Sequence, residues 1–224
     1  MINPSVVVIG AGPGIGQAVA QRFAADGFAV AVIARSAATV DQAVRAVRGD
    51  GRTVLGLSAD GTDEAGLRAA LDRVVDAHGL PDVLVYNAAR IRPDEPGELS
   101  AAELLDTLAV NVVGLATAAG QLAPRMAERG SGSILITSGM PGVVPAYTSL
   151  SLGKAAARTY AEILAAAYGP AGVHVASVLV TDTVVPGTPF DPAVIAEAYP
   201  ELHAQSRDQW ELVRVFSGGS GSAG

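Results

Sequence analysis

The stretch that decides the fold is Val6–Ala20, "VVVIGAGPGIGQAVA". Its apolar start predicts a buried strand, its middle is rich in glycine, and its end has the pattern of a helix. Glycine lets the backbone turn tightly and lets a pyrophosphate approach the amide groups of the helix N-terminus, where the helix dipole favours negative charge. The stretch therefore predicts a dinucleotide-binding turn, and a turn that is only tight is the alternative. The predicted binding residues of the turn are Gly10, Gly12, Gly14, Ile15 and Gly16.

Short β-branched runs alternate with longer alanine-rich helical patterns along the rest of the chain, which is typical of βαβ units around a parallel sheet. Strands are predicted at Val6–Ile9, Ala29–Ala34, Thr53–Ser58, Val83–Asn87, Ser133–Thr137, Val173–Leu179 and Leu212–Phe216. Helices are predicted at Gly14–Ala25, Val40–Arg48, Asp63–His78, Ala101–Arg129, Ser149–Tyr168 and Pro192–Ala198. The fold class is α/β, a single Rossmann-type, doubly wound parallel sheet of about seven strands with helices on both faces. Ligands of such a sheet bind beyond the carboxyl ends of its strands.

Three local patterns bear on where the helices begin and end. Ser100 followed by Glu103 predicts a capping box at the start of the long helix. Asp191 before Pro192 predicts an N-cap with proline in the first helical position. Pro124 lacks a backbone N–H, so we expect it to bend or end the long helix early.

Length and composition bound the class of protein. A chain of 224 residues is most simply one domain, which we place at residues 1–216 with a substrate loop or lid at about 181–210. The last residues, 217–224, "SGGSGSAG", read as a flexible tail or an added linker. The net charge of −7, with only 15 Lys and Arg, argues against a nucleic-acid-binding surface.

Several kinds of site are excluded by what the chain lacks. It has no cysteine, which excludes disulfides, thiolate nucleophiles and cysteine-bound metals. Its three histidines have no metal-ligand spacing, so no metal is expected. The N-terminus has no basic region before an apolar one, and no later apolar run approaches the length of a membrane span. We expect a cytoplasmic protein that binds a small-molecule substrate and neither a membrane nor nucleic acid.

The end of the second strand indicates which dinucleotide is bound. An acidic residue there usually holds a free ribose 2′-hydroxyl, whereas a 2′-phosphate needs a cation. The acidic position is vacant in "VIARSA", and Arg35 follows directly, with a guanidinium suited to phosphate. NADP(H) is therefore predicted over NAD(H), and a solvated surface role for Arg35 is the alternative.

With these features, the chain resembles the short-chain dehydrogenase/reductase family over nearly its whole length. The matching features come in the family's order. They are the glycine turn Gly10–Gly16, Asp60 after the third strand, Asn87-Ala88-Ala89 after the fourth, Asn111 in the long helix, Ser138 after the fifth strand and Lys154 in the next helix.

The resemblance implies hydride transfer between nicotinamide C4 and a carbonyl or alcohol carbon, with a tyrosine as the acid or base. It implies that Asp60 contacts the adenine, that Asn87 and Ala88 lie at the cofactor, and that Ser138 polarises the substrate oxygen. It also implies that Asn111 holds a proton-relay water and that Lys154 binds the nicotinamide ribose and lowers the pKa of the tyrosine.

The catalytic tyrosine of that family is missing here. Leu150 occupies its position, four residues before Lys154, and a leucine side chain neither donates nor accepts a proton. Tyr147 lies three residues earlier, where one helical turn would place it on the same face. The alternatives are a proton from Lys154, whose pKa burial would lower, and a proton from an ordered water.

The segment after the sixth strand also departs from the family, because Pro186 and Gly187 come later than its usual Pro-Gly pair. Tyr199, His203 and Trp210 are candidate substrate or lid contacts in this segment. The alternative is a small helix that packs these three residues against the core.

The function predicted from the sequence is an NADP(H)-dependent oxidoreductase acting on a small carbonyl, alcohol or imine, with Tyr147, Lys154 or water as the acid. Two alternatives stay open: an inactive NADP-binding sensor, and a non-redox isomerase, lyase or cyclase. The Ala101–Arg129 and Ser149–Tyr168 helices are apolar on more faces than one sheet covers. These helices form the family's subunit interface, so a homodimer or homotetramer is expected.

Overall fold

The computed structural model describes residues 3–48 and 54–218. Within them, seven strands form one parallel sheet, and the predicted α/β, doubly wound fold is confirmed. The strands are β1 (Ser5–Ile9), β2 (Ala29–Ala34), β3 (Val54–Ser58), β4 (Val83–Tyr86), β5 (Gly132–Ser138), β6 (Val173–Val180) and β7 (Val213–Phe216). Their order is β3-β2-β1-β4-β5-β6-β7. The predicted start of the third strand, Thr53, and most of the predicted tail lie outside the described residues.

The helices are α1 (Ile15–Ala25), α2 (Ala37–Val47), α3 (Glu64–His78), α4 (Ala101–Leu108), α5 (Gly114–Arg129), α6 (Thr148–Tyr168), α7 (Pro192–Ala196) and α8 (Ala198–His203). A π-helical turn, Ala109–Val113, joins α4 to α5 without a break. The second helix begins earlier than predicted because the hydroxyl of Ser36 accepts the N–H of Thr39 and caps it. The predicted Pro192–Ala198 helix is instead two short helices that reach His203.

The strands are apolar on both sides because helices cover both faces of the sheet. All five residues of β1 are buried. Val7 and Ile9 pack on one face, against the layer that contains α3, α5 and α6. Val6 and Val8 pack on the other face, against α1, α2, α7 and α8. Continuous apolar strands of this kind are what a parallel sheet with two helical layers requires.

The long helix shows one confirmed boundary and one wrong one. The predicted capping box is present, with Ser100 and Glu103 each bonded to the other's backbone N–H. Pro124 was expected to bend or end the helix early; it does not end it, because α5 continues to Arg129. Leu122 and Met126, on either side of the proline, are fully buried, and packing of this kind outweighs the loss of one helical hydrogen bond.

The same helix, Ala101–Arg129, has the length and apolar character of a membrane span. Its buried side chains, which include Leu115, Leu122 and Met126, pack in the core beneath the sheet. That core position accounts for part of the apolar composition, since 33% of the apolar window is buried.

The order of the strands reverses between β1 and β4, which neighbour each other although β2 and β3 come between them in the chain. At such a switch point the loops on either side diverge and leave a crevice at the carboxyl ends of the strands. The crevice lies where the glycine turn leaves β1.

Candidate active site

A cleft of about 1640 Å³ opens at the carboxyl ends of the strands. The loops after β1 to β6 all contribute to its lining. Of the predicted site residues, those that line it are Gly10, Gly12, Gly14, Ile15, Arg35, Asp60, Asn87, Ala88, Ser138, Tyr147 and Lys154. Gly16 and Asn111 lie behind this surface.

The glycine turn has a shape that side chains would block. Gly10 has a φ of 88°, and a Cβ there would come within 2.3 Å of the backbone N of Ala88. A Cβ on Gly16 would come within 2.2 Å of the carbonyl oxygen of Gly10. Gly14 caps α1 with a φ of 121° and provides no side chain to the N-terminal N–H groups. These groups face the cleft and fit a pyrophosphate.

Asn87 and Ala88 hold the loop after β4 against this turn. The Asn87 Nδ2 donates to the carbonyl oxygen of Gly10 at 2.8 Å. Ala88 provides the backbone atoms that exclude a Cβ from Gly10. The two loops at the switch point are therefore fixed to each other before any ligand binds.

Arg35 and Asp60 lie on the β2 and β3 side of the cleft. Arg35 is exposed and lines the cleft next to Ser36. The backbone N–H and hydroxyl of Thr62 both donate to Asp60 Oδ1 at 2.9 Å. These hydrogen bonds, together with the charges of Arg35 and Arg90, hold the pKa of Asp60 below its usual range. The side presents one exposed cation and one ionised carboxylate.

Ser138 and Lys154 lie on the β5 side. The buried hydroxyl oxygen of Ser138 has no hydrogen-bond partner among the described residues, although it lines the cleft. A buried hydroxyl without a partner is costly, so this one is suited to a ligand. Lys154 Nζ donates to the carbonyl oxygen of Thr137 at 2.9 Å. Burial is the main cause that lowers the pKa of Lys154 to about 8, and the positive charge of Arg158 is the second cause.

Leu150, at the position where the sequence leads us to expect a catalytic tyrosine, faces the same cleft. Leu150 is buried in α6 and lines the cleft, as does Tyr147 directly before the helix. Tyr147 is half-buried and has a φ of −139°, so it caps α6 and is not part of its first turn. Its N–H donates to the carbonyl oxygen of Val144. The structure thus brings Ser138, Tyr147 and Lys154 to one surface with Leu150.

Asn111 lies in the π-helical turn, and its side chain forms hydrogen bonds with the backbone of Arg90. Its Oδ1 accepts the N–H of Arg90 at 2.8 Å, and its Nδ2 donates to the carbonyl oxygen of Arg90. Gly153 of α6 packs on it, where a Cβ would come within 2.7 Å. Asn111 therefore connects the long helix, the loop after β4 and α6.

Sequence reasoning missed Asp94, which fixes the start of α6. This buried carboxylate accepts the N–H of Ser149 at 2.9 Å and its hydroxyl at 2.7 Å. The backbone of Asp94 also forms a parallel bridge with Tyr147. The loop "IRPDEPGE" gives no sign of this role, because Asp94 and Ser149 are far apart in sequence and only the fold brings them together.

The segment after β6 packs against the core, as the alternative interpretation had it, and its predicted substrate or lid contacts are wrong. Tyr199 is fully buried, and its hydroxyl shares a hydrogen bond of 2.6 Å with Thr137 Oγ1. His203 Nδ1 lies 2.8 Å from the hydroxyl of Ser133. Trp210 stacks on His174 with ring centroids 4.9 Å apart. None of the three predicted contacts lines the cleft.

Comparison with known proteins agrees with this geometry. Residues 4–188 match the family described as short chain dehydrogenase. Cis-4-hydroxycyclohexanecarboxylate dehydrogenase of Sinomonas cyclohexanicum is 35% identical over 191 residues, which cover 83% of this chain and 76% of that protein.

Solved structures show the same fold. A short-chain dehydrogenase from Rhodopseudomonas palustris superimposes with a TM-score of 0.85 at 25% identity, over 95% of this chain and 97% of that one. A metagenomic short-chain oxidoreductase in complex with NADP gives a TM-score of 0.87 at 23% identity, over 96% of each chain. The protein belongs to the short-chain dehydrogenase/reductase family of oxidoreductases, as the order of its motifs predicts.

Proposed function

We propose that the protein is an NADP(H)-dependent oxidoreductase that transfers hydride between nicotinamide C4 and the carbon of a small carbonyl, alcohol or imine. The observation that supports this most is the arrangement of one cleft. The glycine turn and Arg35 line it on one side, and Ser138 and Lys154 line it on the other. Arg35 follows β2 and Ser138 ends β5, so three strand spacings, roughly 14 Å, separate them. An extended dinucleotide can bridge such a span.

Each part of the cleft has a place in this proposal. The N-terminal N–H groups of α1 bind the pyrophosphate, and Arg35 binds the 2′-phosphate. Lys154 donates to the nicotinamide ribose and keeps its bond to Thr137. The hydroxyl of Ser138, which lacks a protein partner among the described residues, donates to the substrate oxygen. The bound nicotinamide supplies the hydride chemistry.

Reduction also requires a proton, and Leu150 cannot supply it. Three sources are consistent with the cleft: the Tyr147 phenol, the Lys154 ammonium, and a water. A general acid contributes about 10²–10⁴-fold to a rate, so a reductase with a poorly placed acid is slow but active. The proposal therefore includes slow turnover.

The test begins with cofactor binding. NADPH and NADH are titrated into the purified protein, with cofactor fluorescence as the readout. We then expect the absorbance of NADPH at 340 nm to fall when ketones, aldehydes or imines are added. Retention of NADPH without oxidation by any of these classes, together with no reduction of NADP⁺ by alcohols, would favour a sensor and overturn the proposal.

A further inference from the structure

Large apolar side chains surround the substrate side of the cleft while remaining open to solvent. Ile91 is 71% exposed, Val143 86%, Val144 37% and Val184 36%, and all four line the cleft. They come from three separate loops, after β4, β5 and β6. Scattered apolar residues on a surface need no explanation, but a ring of them at the entrance of one cleft marks a binding surface for an apolar molecule.

Leu150 extends this apolar surface inwards. It lies one helical turn before Lys154, so the two side chains share a face of α6. In the family the corresponding position has a phenol, which is polar at its tip. Here Leu150 makes that position hydrocarbon, and the nearby Ser138 hydroxyl, which has no protein partner among the described residues, can anchor a substrate oxygen.

The charged side chains on this side are already engaged. Arg90 forms an ion pair with Asp106. Asp182 Oδ1 accepts the N–H of Thr183 at 2.6 Å. Asp191 accepts the N–H groups of Gly187 and Ala193, and these bonds hold its pKa below the usual range.

The charge balance therefore opposes an anionic substrate. Two carboxylates, Asp182 and Asp191, line the cleft after β6. Of the described cations that line it, Lys154 donates to Thr137 and Arg90 is paired, while Arg35 lies across the switch point. A substrate carboxylate or phosphate would be repelled by these two carboxylates, while the Lys154 ammonium beside it already donates to Thr137 and, in the proposed function, to the nicotinamide ribose.

We infer that the substrate is an uncharged molecule with one carbonyl or alcohol oxygen on a hydrocarbon body, its oxygen at Ser138 and its body against Leu150, Val144 and Val184. This inference rests on the proposed function for the chemistry of the oxygen. The apolar body follows from the lining of the cleft alone.

The experiment measures binding separately from turnover. The NADP⁺-loaded protein is mixed with Prodan, an uncharged ketone dye whose emission depends on polarity, and the dye is displaced with competitors. The competitors are 2-butanone, 2-hexanone, 2-octanone and 7-oxooctanoate, the last being as long as 2-octanone but carrying a carboxylate. We expect affinity to rise about threefold to fourfold per methylene along the neutral series, and 7-oxooctanoate to bind at least about tenfold more weakly than 2-octanone.

Variants locate the binding surface. Val144→Asp and Val184→Asp should each weaken 2-octanone binding by about tenfold, because a charge then meets the alkyl chain. Val213→Asp is the matched control, since Val213 has a similar exposure of 39% and lies in β7, away from the cleft. It should leave the binding of 2-octanone unchanged.

The outcomes separate this inference from the proposed function. Tight binding of 2-octanone, with no oxidation of NADPH by any ketone, aldehyde or imine and no reduction of NADP⁺ by alcohols, supports the apolar site and overturns the reductase. Turnover that is fastest with keto acids supports the reductase and overturns the apolar site. Equal affinity along the neutral series, or equal effects of Val144→Asp and Val213→Asp, also overturns the inference.

Discussion

Leu150 occupies the position at which the sequence leads us to expect the family's catalytic tyrosine. It lines the cleft from α6, and Lys154 follows one helical turn later. Ser138 and Lys154 both line the cleft; the Ser138 hydroxyl has no partner among the described residues, and Lys154 Nζ donates to the carbonyl oxygen of Thr137. Under the proposed function, the Ser138 hydroxyl polarises the substrate oxygen, and Leu150 leaves the site without the expected phenolic acid.

Leu150→Tyr should restore that acid. We expect the rate of NADPH-dependent ketone reduction to rise by about 10²–10⁴-fold, which is the contribution of a well-placed general acid. Leu150→Phe is the matched control, because it has the same ring without the hydroxyl and should give no such rise. Stopped-flow measurement of NADPH oxidation distinguishes the two. If both variants change the rate equally, the pocket responds to ring size and the acid hypothesis fails.

The pH dependence of the native enzyme tests Lys154 as the present acid. Burial lowers the pKa of Lys154 to about 8, so the ammonium form loses its proton as the pH rises through that value. If this ammonium protonates the product, kcat for reduction is constant below pH 7 and falls tenfold per pH unit well above 8. A kcat that does not change between pH 6 and pH 10 would assign the proton to water. Loss of the reaction in Tyr147→Phe would assign it to Tyr147.

Arg35 should determine cofactor choice. Hydrogen bonds to a charged group contribute about 1.5–3 kcal/mol, so Arg35→Ala should weaken NADPH binding by roughly 10- to 100-fold and leave NADH binding unchanged. The control is Arg45→Ala, which removes another exposed arginine from α2. Isothermal titration with both cofactors provides the comparison. Equal losses for NADPH and NADH would show that Arg35 acts on the fold and not on the 2′-phosphate.

At the scale of elements, the start of α6 is fixed by a residue far away in sequence. Asp94 accepts two hydrogen bonds from Ser149 and bridges the backbone of Tyr147. Its own N–H donates to the carbonyl oxygen of Ala146. The loop after β4 and the first turn of α6 are therefore one unit, and Tyr147 and Leu150 take their positions in the cleft from it.

Asp94→Ala should loosen that unit. We expect the free energy of unfolding to fall by about 1–3 kcal/mol, because the N–H and hydroxyl of Ser149 lose their buried acceptor. Urea denaturation followed by circular dichroism measures it. We also expect kcat for reduction to fall while NADPH affinity stays constant.

Asp63→Ala is the control for that change. Asp63 caps α3 by accepting the N–H of Gly66, so its removal should destabilise the fold through another helix. If Asp63→Ala lowers kcat as much as Asp94→Ala does, the effect of Asp94 is one of general stability and not of positioning.

The helices and strands also show how much of the structure could be predicted from the sequence. Apolar runs such as β1 predicted the bounds of the central strands within one residue, because strands buried on both faces are continuously apolar. The π-helical turn around Asn111 was not predicted, because the hydrogen bond from Tyr86 to the carbonyl oxygen of Val110 joins elements distant in sequence. The pairing of Asp94 with Ser149 was missed for the same reason. Pro124 was misjudged because local propensity cannot register the packing of Leu122 and Met126.

In the molecule as a whole, the outer faces of the two longest helical segments expose large apolar side chains to solvent. Leu105 and Val113 in the segment Ala101–Arg129, and Leu152 and Ile163 in α6, are large apolar residues exposed to solvent. A second copy of the chain would cover them, in line with the homodimer or homotetramer expected from the sequence.

Light scattering after gel filtration tests this expectation. The native protein should elute with the mass of a dimer or tetramer, and Leu105→Glu combined with Ile163→Glu should reduce it to the mass of one chain, because buried carboxylates would face each other across the interface. Val194→Glu, at an exposed position of α7 outside both helices, should leave the mass unchanged. A native protein that elutes as a monomer contradicts the expectation.

The stacking of Trp210 on His174 provides the molecule with its own optical probe. Trp210 is the one tryptophan of the chain, and its Nε1 donates to the carbonyl oxygen of Gln205 away from the cleft. Its emission therefore comes from a single known environment between β6 and the segment before β7. Unfolding of that region should change the emission directly, whereas bound NADPH should reveal itself by accepting energy from the indole. The intrinsic fluorescence of this one tryptophan thus reports on both folding and cofactor binding without an added label.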